Sequence, residues 1–213
     1  MLKLVVFDMD GVLVNTKSSW YYLHSYFGTD NIENIRLYNQ HQIDYLEFMK
    51  KDISLWARNK EKINIKTIRK ILDTVPIMNG ADEVFRHLHN NNIQTAIVTG
   101  GLDILANRLK DKYNIDYIFA NALETDKNDD LTGNGIMRVE PMQKGKVLKK
   151  LMDTLSLNKT EVASVGDGEI DISMFKLTDI SIAFDPINDN VSKEAKIVIT
   201  EKDLSKILPF FKL

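Results

Sequence analysis

The chain predicts an α/β fold: a parallel sheet with helices on both faces, plus a small helical cap inserted after the first strand. Three observations carry this reading. Short β-branched apolar runs alternate with amphipathic segments from residue 80 onward, the pattern of a parallel sheet covered on both faces. The first such run, LKLVVFD at 2–8, is cut off from the others by a long stretch of helical texture. Several runs end directly in polar residues, and open parallel sheets bind ligands at the carboxyl ends of their strands.

Taken in order, residues 2–8 are the first strand. Residues 16–74 then carry SSWYYLHSYFG, QIDYLEFMKKDISLWAR and KINIKTIRKILDTV, each with apolar residues three and four apart, as in helices. Pro76 and Gly80 punctuate the end of that region. A helix at 80–91, a strand at 93–99, a helix at 102–113 and a short strand at 116–121 follow. ALETDKNDDLTGNGIMRV, with its Asn-Asp-Asp turn and two glycines, reads as a polar hairpin projecting from the sheet. The alternation resumes with a helix at 144–156, a strand at 162–166, a helix at 169–177, a strand at 180–184 and a last pair around 196–200. The expected division is a core of 1–15 and 76–213 with a cap of 16–75.

Composition narrows the function classes. With 213 residues the chain holds one substantial core and a small insert. Hydrophobic residues make up 44% and charged residues 27%, ordinary globular usage. The absence of cysteine removes disulfides, thiolate nucleophiles and cysteine-based zinc sites. A net charge of -2 offers no field for nucleic acid or an anionic membrane, and no apolar stretch approaches the about 18 residues that span a bilayer. Neither nucleic acid nor membrane is expected as a partner, and a cytoplasmic setting is the default.

Four segments place chemistry-bearing residues at strand ends: Asp8-Met9-Asp10-Gly11, Thr99-Gly100-Gly101, the region around Lys144, and Asp167-Gly168 with Asp171. Each alone has an ordinary reading, as a turn, a helix start or an exposed lysine. Together they fall in order at the expected strand ends, and in a parallel sheet the first, second and fourth converge on one edge. Asp8, Asp10, Asp167 and Asp171 are a set of like charges that needs a cation, and hard oxygen ligands suit Mg²⁺. Lys144 offsets remaining negative charge. The Thr99 hydroxyl and the amides of Gly100 and Gly101 can hold phosphoryl oxygens. The four histidines, His24, His41, His87 and His89, are scattered, with none at a strand end.

This ordered set, with VTGG, LTGNG, GDGEIDISMF and IAFDP, resembles the haloacid dehalogenase superfamily of phosphohydrolases, in its phosphoserine phosphatase-like branch. The resemblance covers essentially the whole chain and implies a Rossmannoid core. It implies Asp8 as a nucleophile that becomes an aspartyl phosphate, and Asp10 as the acid and base that serves the leaving oxygen and then the water. It further implies Thr99, Gly100, Gly101 and Lys144 around the phosphoryl group, and Mg²⁺ on Asp8, the Asp10 carbonyl, Asp167 and Asp171. The second aspartate favours phosphate transfer over dehalogenation. The substrate expected is a small phosphomonoester; a sugar phosphomutase and a non-catalytic binding protein are the competing readings.

The resemblance weakens at the positions that set specificity. Lys17 stands where the branch has a glutamate for the amino group of serine, and Asp52 where it has an arginine for the carboxylate, so both charges are reversed. Ile170 replaces an asparagine beside Asp171. Trp20, Tyr21, Tyr22 and Tyr26 are candidates to line the pocket, Trp20 foremost.

Overall fold

The computed structural model describes residues 1–57 and 62–211. The first strand, β1 (Leu4–Phe7), shows why a β-branched run makes the centre of the sheet. Alternate side chains point to opposite faces. Val5 and Phe7 join the larger apolar core, while Leu4 and Val6 join a second core on the other face. All four are fully buried. No face is left for polar side chains until the strand stops at Asp8.

β1 is followed by four helices, α1 (Ser19–Tyr26), α2 (Ile32–Asn39), α3 (Tyr45–Trp56) and α4 (Ile65–Leu72). Ser18, Asp44 and Asn64 cap the starts of α1, α3 and α4 with side-chain oxygens that accept backbone N–H groups. The helix α2 was not singled out by the sequence, because IENIRLYN buries only Asn34 and has little apolar periodicity. The insertion is entered and left through adjacent extended segments, where Val14 bridges Ile77 and the Asn15 N–H donates to the Pro76 carbonyl at 2.8 Å.

The rest alternates: α5 (Ala81–Asn90), β2 (Gln94–Leu102), α6 (Asp103–Tyr113), β3 (Tyr117–Thr125), β4 (Leu131–Ile136), α7 (Lys144–Thr154), β5 (Val162–Gly166), α8 (Ile172–Phe175), β6 (Ile180–Phe184), α9 (Asp189–Glu194) and β7 (Ile197–Ile199). The sheet order is β4-β3-β2-β1-β5-β6-β7, parallel except for β4. The expected helix at 169–177 is a 3-10 turn over Glu169–Asp171 running into the short α8. The β3–β4 hairpin braces the insertion: the Leu131 N–H donates to the Ile63 carbonyl at 2.8 Å, and Gly135 lies directly against Met49 of α3. No helix of the described residues is long and apolar enough to cross a membrane.

Candidate active site

β1 lies between β2 and β5, so the residues that follow these three strands meet at one edge. Asp8 is held there by its N–H, which donates to the Val165 carbonyl at 2.9 Å. Its Oδ1 accepts from the Met9 N–H at 2.7 Å and from Lys144 Nζ at 2.8 Å. Its Oδ2 has no hydrogen-bond partner among the described residues. The chain then turns sharply through Gly11, whose φ of 79° lies in the left-handed region and whose Cβ, if present, would sit 2.2 Å from Asp167 Oδ2. Asp10, the residue before that glycine, leads into the turn with Oδ2 accepting from the Ser19 N–H at 2.9 Å and the Ser19 hydroxyl at 3.0 Å. Its Oδ1 is buried with no partner.

At the end of β2 the pairing with β3 shifts register between Val98 and Leu102, which lifts Thr99, Gly100 and Gly101 out of the ladder. One expectation is corrected here. The Gly101 N–H is not free for a phosphoryl oxygen, because it donates to Thr99 Oγ1 at 2.9 Å. Gly101 is instead a point of close approach: a Cβ would meet Asp10 Oδ2 at 2.6 Å and Ser19 Oγ at 2.7 Å. The Gly100 carbonyl accepts three donors, Trp20 Nε1 at 3.2 Å, the Tyr45 hydroxyl at 2.9 Å and Asn121 Nδ2 at 3.1 Å. Two of those donors come from the insertion and one from β3.

Lys144 begins α7 and is fully buried, an arrangement tolerated because its ammonium also reaches Asp171 Oδ1 at 2.7 Å. Burial works against its charge, but Asp171 and Asp8 outweigh burial and hold its pKa above the ordinary lysine value. Asp171 Oδ2 accepts the N–H groups of Asp167 and Gly168, each at 3.0 Å. Asp171 thus orients both the lysine and the loop that carries Asp167.

Carboxylate oxygens of Asp8, Asp167 and Asp171 lie within 4.8 Å of one another. Burial pushes the Asp8 carboxyl up to about 7, against the opposing pull of Lys144 and with help from Asp171. Burial together with the charges of Asp8 and Asp171 pushes Asp167 up to about 9. Burial also raises Asp10, to about 6, with the Ser19 hydrogen bonds pulling the other way. Such raised values mark carboxylates that lack sufficient counter-charge. One lysine does not balance the cluster, and an all-oxygen donor set of this kind fits a hard divalent cation such as Mg²⁺.

The strand ends open into a cavity of about 1150 Å³ between the sheet edge and the insertion, lined by Asp8, Asp10, Thr99, Gly100, Gly101 and Asp167 on the sheet side. Lys17 stands exposed at its rim, Trp20 and Tyr21 line it, and Ile170 borders it. Tyr22 and Tyr26 do not; Tyr22 bonds Thr74 at 2.9 Å and Tyr26 is exposed.

Asp52 is the second correction. It faces the interior of the insertion, fully buried, where Asn34 Nδ2 donates to Oδ1 at 2.7 Å and Asn31 Nδ2 to Oδ2 at 2.6 Å. His24 Nε2 lies 3.1 Å from Oδ2, and the Trp56 indole donates to His24 Nδ1 at 3.2 Å. An indole can only donate, so Nδ1 is the acceptor and Nε2 carries the proton toward Asp52. The carboxylate is spent on internal donors and does not confront a substrate.

Sequence reasoning missed Ser19, Asn121 and Glu140. Ser19 could have been found as the second serine of the helix start directly after the first motif. Asn121 and Glu140 gave no signal, because their roles depend on long-range contacts: Asn121 Oδ1 accepts the Arg138 and Val139 N–H groups, each at 2.8 Å, and Glu140 accepts the Tyr38 hydroxyl of α2.

A buried acidic cluster with one lysine, set on the carboxyl edge of a mostly parallel sheet under a helical insertion, defines a hydrolase class, and the chain belongs to the haloacid dehalogenase-like hydrolase family, whose model matches residues 2–177. Within that family its relatives are of the phosphoserine phosphatase type. The phosphoserine phosphatase of Methanocaldococcus jannaschii is 31% identical over 214 residues, covering 99% of this chain and 98% of the relative. That of Campylobacter jejuni subsp. doylei is 32% identical over 212 residues, covering 98% and 99%. Among solved structures, a substrate-bound phosphoserine phosphatase complex matches with a TM-score of 0.83 at 29% identity, covering 100% of this chain and 99% of that one. A phospho-aspartyl intermediate analogue of a phosphoserine phosphatase matches equally well, with a TM-score of 0.83 at 29% identity and 99% of each chain covered.

Proposed function

We propose that the chain is a Mg²⁺-dependent phosphomonoesterase that hydrolyses a small cytoplasmic metabolite through an aspartyl phosphate on Asp8, with residues 16–75 acting as a cap over a core of 1–15 and 76–213. The observation that carries this is the state of Asp8: one carboxylate oxygen tied to Lys144 and the Met9 amide, the other without a partner at the cavity wall. An oxygen held in place and left unpartnered is what an attacking group requires.

In the first half-reaction Asp8 Oδ2 forms a bond to phosphorus as the ester P–O bond breaks. Asp10, whose raised pKa of about 6 lets it carry a proton near neutrality, protonates the departing alkoxide. In the second, the same carboxylate takes a proton from water as that water displaces Asp8 and frees inorganic phosphate. Ser19 keeps Asp10 in one orientation and leaves Oδ1 for proton transfer. Lys144 neutralises charge on Asp8 and on the transferring group. The Thr99 hydroxyl, on a residue that lines the cavity and accepting from the Gly101 N–H with its own proton left over, would donate to a phosphoryl oxygen. Asp8 and Asp167, with the Asp10 carbonyl and Asp171 beside them, would hold Mg²⁺, which when bound supplies charge neutralisation and polarisation of the phosphoryl group. The relatives' names support phosphate ester hydrolysis, and the intermediate analogue among the matching structures supports the covalent route.

The test is phosphate release from a panel of small phosphomonoesters with and without Mg²⁺, using Asp8→Asn as the blank. Release that needs Mg²⁺ and vanishes in the variant is expected. Equal release by the variant would rule the reading out.

A further inference from the structure

The deeper hydroxyl and indole donors on the insertion's side of the cavity are committed, and others, on Ser18, Tyr21, Asn39 and Gln42, lie nearer solvent. Trp20 Nε1 and the Tyr45 hydroxyl are both committed to the Gly100 carbonyl, and the Tyr38 hydroxyl is committed to Glu140. The Asn31 amide donates one N–H to Asp52 at 2.6 Å; a carboxylate can only accept, which fixes the amide and leaves its Oδ1, an acceptor, and its second N–H on a residue that lines the cavity. Glu140 also lines the cavity and accepts from Tyr38 through Oε1 alone. No buried arginine, lysine or histidine lines this cavity among the described residues; Lys17 and His41 lie exposed at its rim.

Its walls are also aromatic. Tyr38, Tyr45 and Phe48 form one group, with ring centroids 5.4 Å apart for Tyr38–Tyr45 and for Tyr45–Phe48, and Trp20 joins it at 6.3 Å from Phe48. Acceptors, the half-buried Glu140 carboxylate and aromatic rings suit a cation, and a carboxylate on the ligand would find the buried hydroxyl and indole donors already committed.

Resting on the phosphomonoesterase reading, we propose that the leaving group is an alcohol that bears an ammonium cation and no carboxylate, so that the substrate is the phosphate monoester of an amino alcohol. Glu140 and Asn31 are its specificity-determining residues, recognising the ammonium, and Trp20, Tyr38 and Tyr45 wall the subsite.

The test uses the purified full chain with Mg²⁺ and compares kcat/KM for phosphoethanolamine, phosphocholine, phosphoserine, glycerol 2-phosphate and p-nitrophenyl phosphate. One of the two cationic esters should exceed both phosphoserine and glycerol 2-phosphate by about tenfold or more. Glu140→Gln should shrink that advantage by raising KM for the cationic ester with kcat kept. A preference for phosphoserine or for the neutral ester overturns the inference, as does a Glu140→Gln variant that weakens all esters alike. Asp8-dependent turnover of p-nitrophenyl phosphate shows that the underlying reading stands whatever the preference; no Asp8-dependent release from any ester removes both.

Discussion

The ammonium of Lys144 lies 2.8 Å from Oδ1 of Asp8, with Lys144 shut off from solvent and Asp8 nearly so. A buried charge pair of this kind stabilises little by itself, since desolvation offsets the attraction, but its loss leaves a carboxylate uncompensated where negative charge must gather in the transition state. Lys144→Ala is expected to reduce kcat by about a thousandfold, comparable to removing a donor from an oxyanion site. Steady-state phosphate release, with circular dichroism to establish folding, checks it. A loss under about tenfold would mean that the lysine is structural.

Asp10 makes a prediction that separates chemistry from folding. Asp10→Asn keeps a group that can accept from Ser19 but cannot deliver a proton. Turnover of alkyl phosphates should fall by about a hundredfold or more, whereas the first step with p-nitrophenyl phosphate, whose leaving group needs no proton, should fall much less. Burst kinetics under both substrates give the comparison. Equal losses in the first step would remove Asp10 from the role of acid.

Asp52 makes a prediction about stability. Asp52→Asn places an amide among three donors in the interior of the insertion and is expected to cost about 1–3 kcal/mol in denaturant unfolding, while the folded protein retains Asp8-dependent turnover. Asp52→Arg, which introduces the charge that the resemblance expects there, should destabilise the chain without raising phosphoserine turnover. A gain in that turnover would mean that the side chain reaches the cavity.

Mg²⁺ should stabilise the protein more as pH rises. The metal-free folded state holds Asp8 and Asp167 at about 7 and about 9, above the 3.8 of an ordinary aspartate. Between those limits the folded state binds protons that the unfolded state has released, so metal-free stability is greatest at the acidic end and falls as pH rises through the folded values. Mg²⁺ competes with those protons and relieves the repulsion that replaces them. The Tm increase on adding Mg²⁺ should therefore be larger at about pH 8 than at about pH 5.5 by thermal shift. An increase independent of pH would mean that the cluster is not where the ion binds.

The core site was legible in the sequence because its residues occupy fixed places relative to strand ends. Once LVVF is a central strand, the next residue must emerge at the carboxyl edge, and Asp8, Thr99, Asp167 and Asp171 follow from the same logic. The insertion was less legible. Asp52 sits on a helix face that periodicity assigns equally well to the cavity or to the interior, and only the three donors around it decide for the interior. The Gly101 amide was misread because a side chain two residues earlier captures it, a local competition that a glycine pair does not announce.

The placement of β1 at the centre of the sheet also bears on when the protein acquires its dangerous features during synthesis. Leu4 pairs on one side with Gln94 and on the other with Val162, so β1 is made before both strands that enclose it. Until the segment that follows β5 has been made, Asp8 lacks Asp167 and Asp171 beside it, and the charge repulsion of the finished cluster does not oppose early collapse. A partly made chain therefore holds β1 with an open apolar edge, and the acidic cluster is complete only when the segment after β5 has joined it.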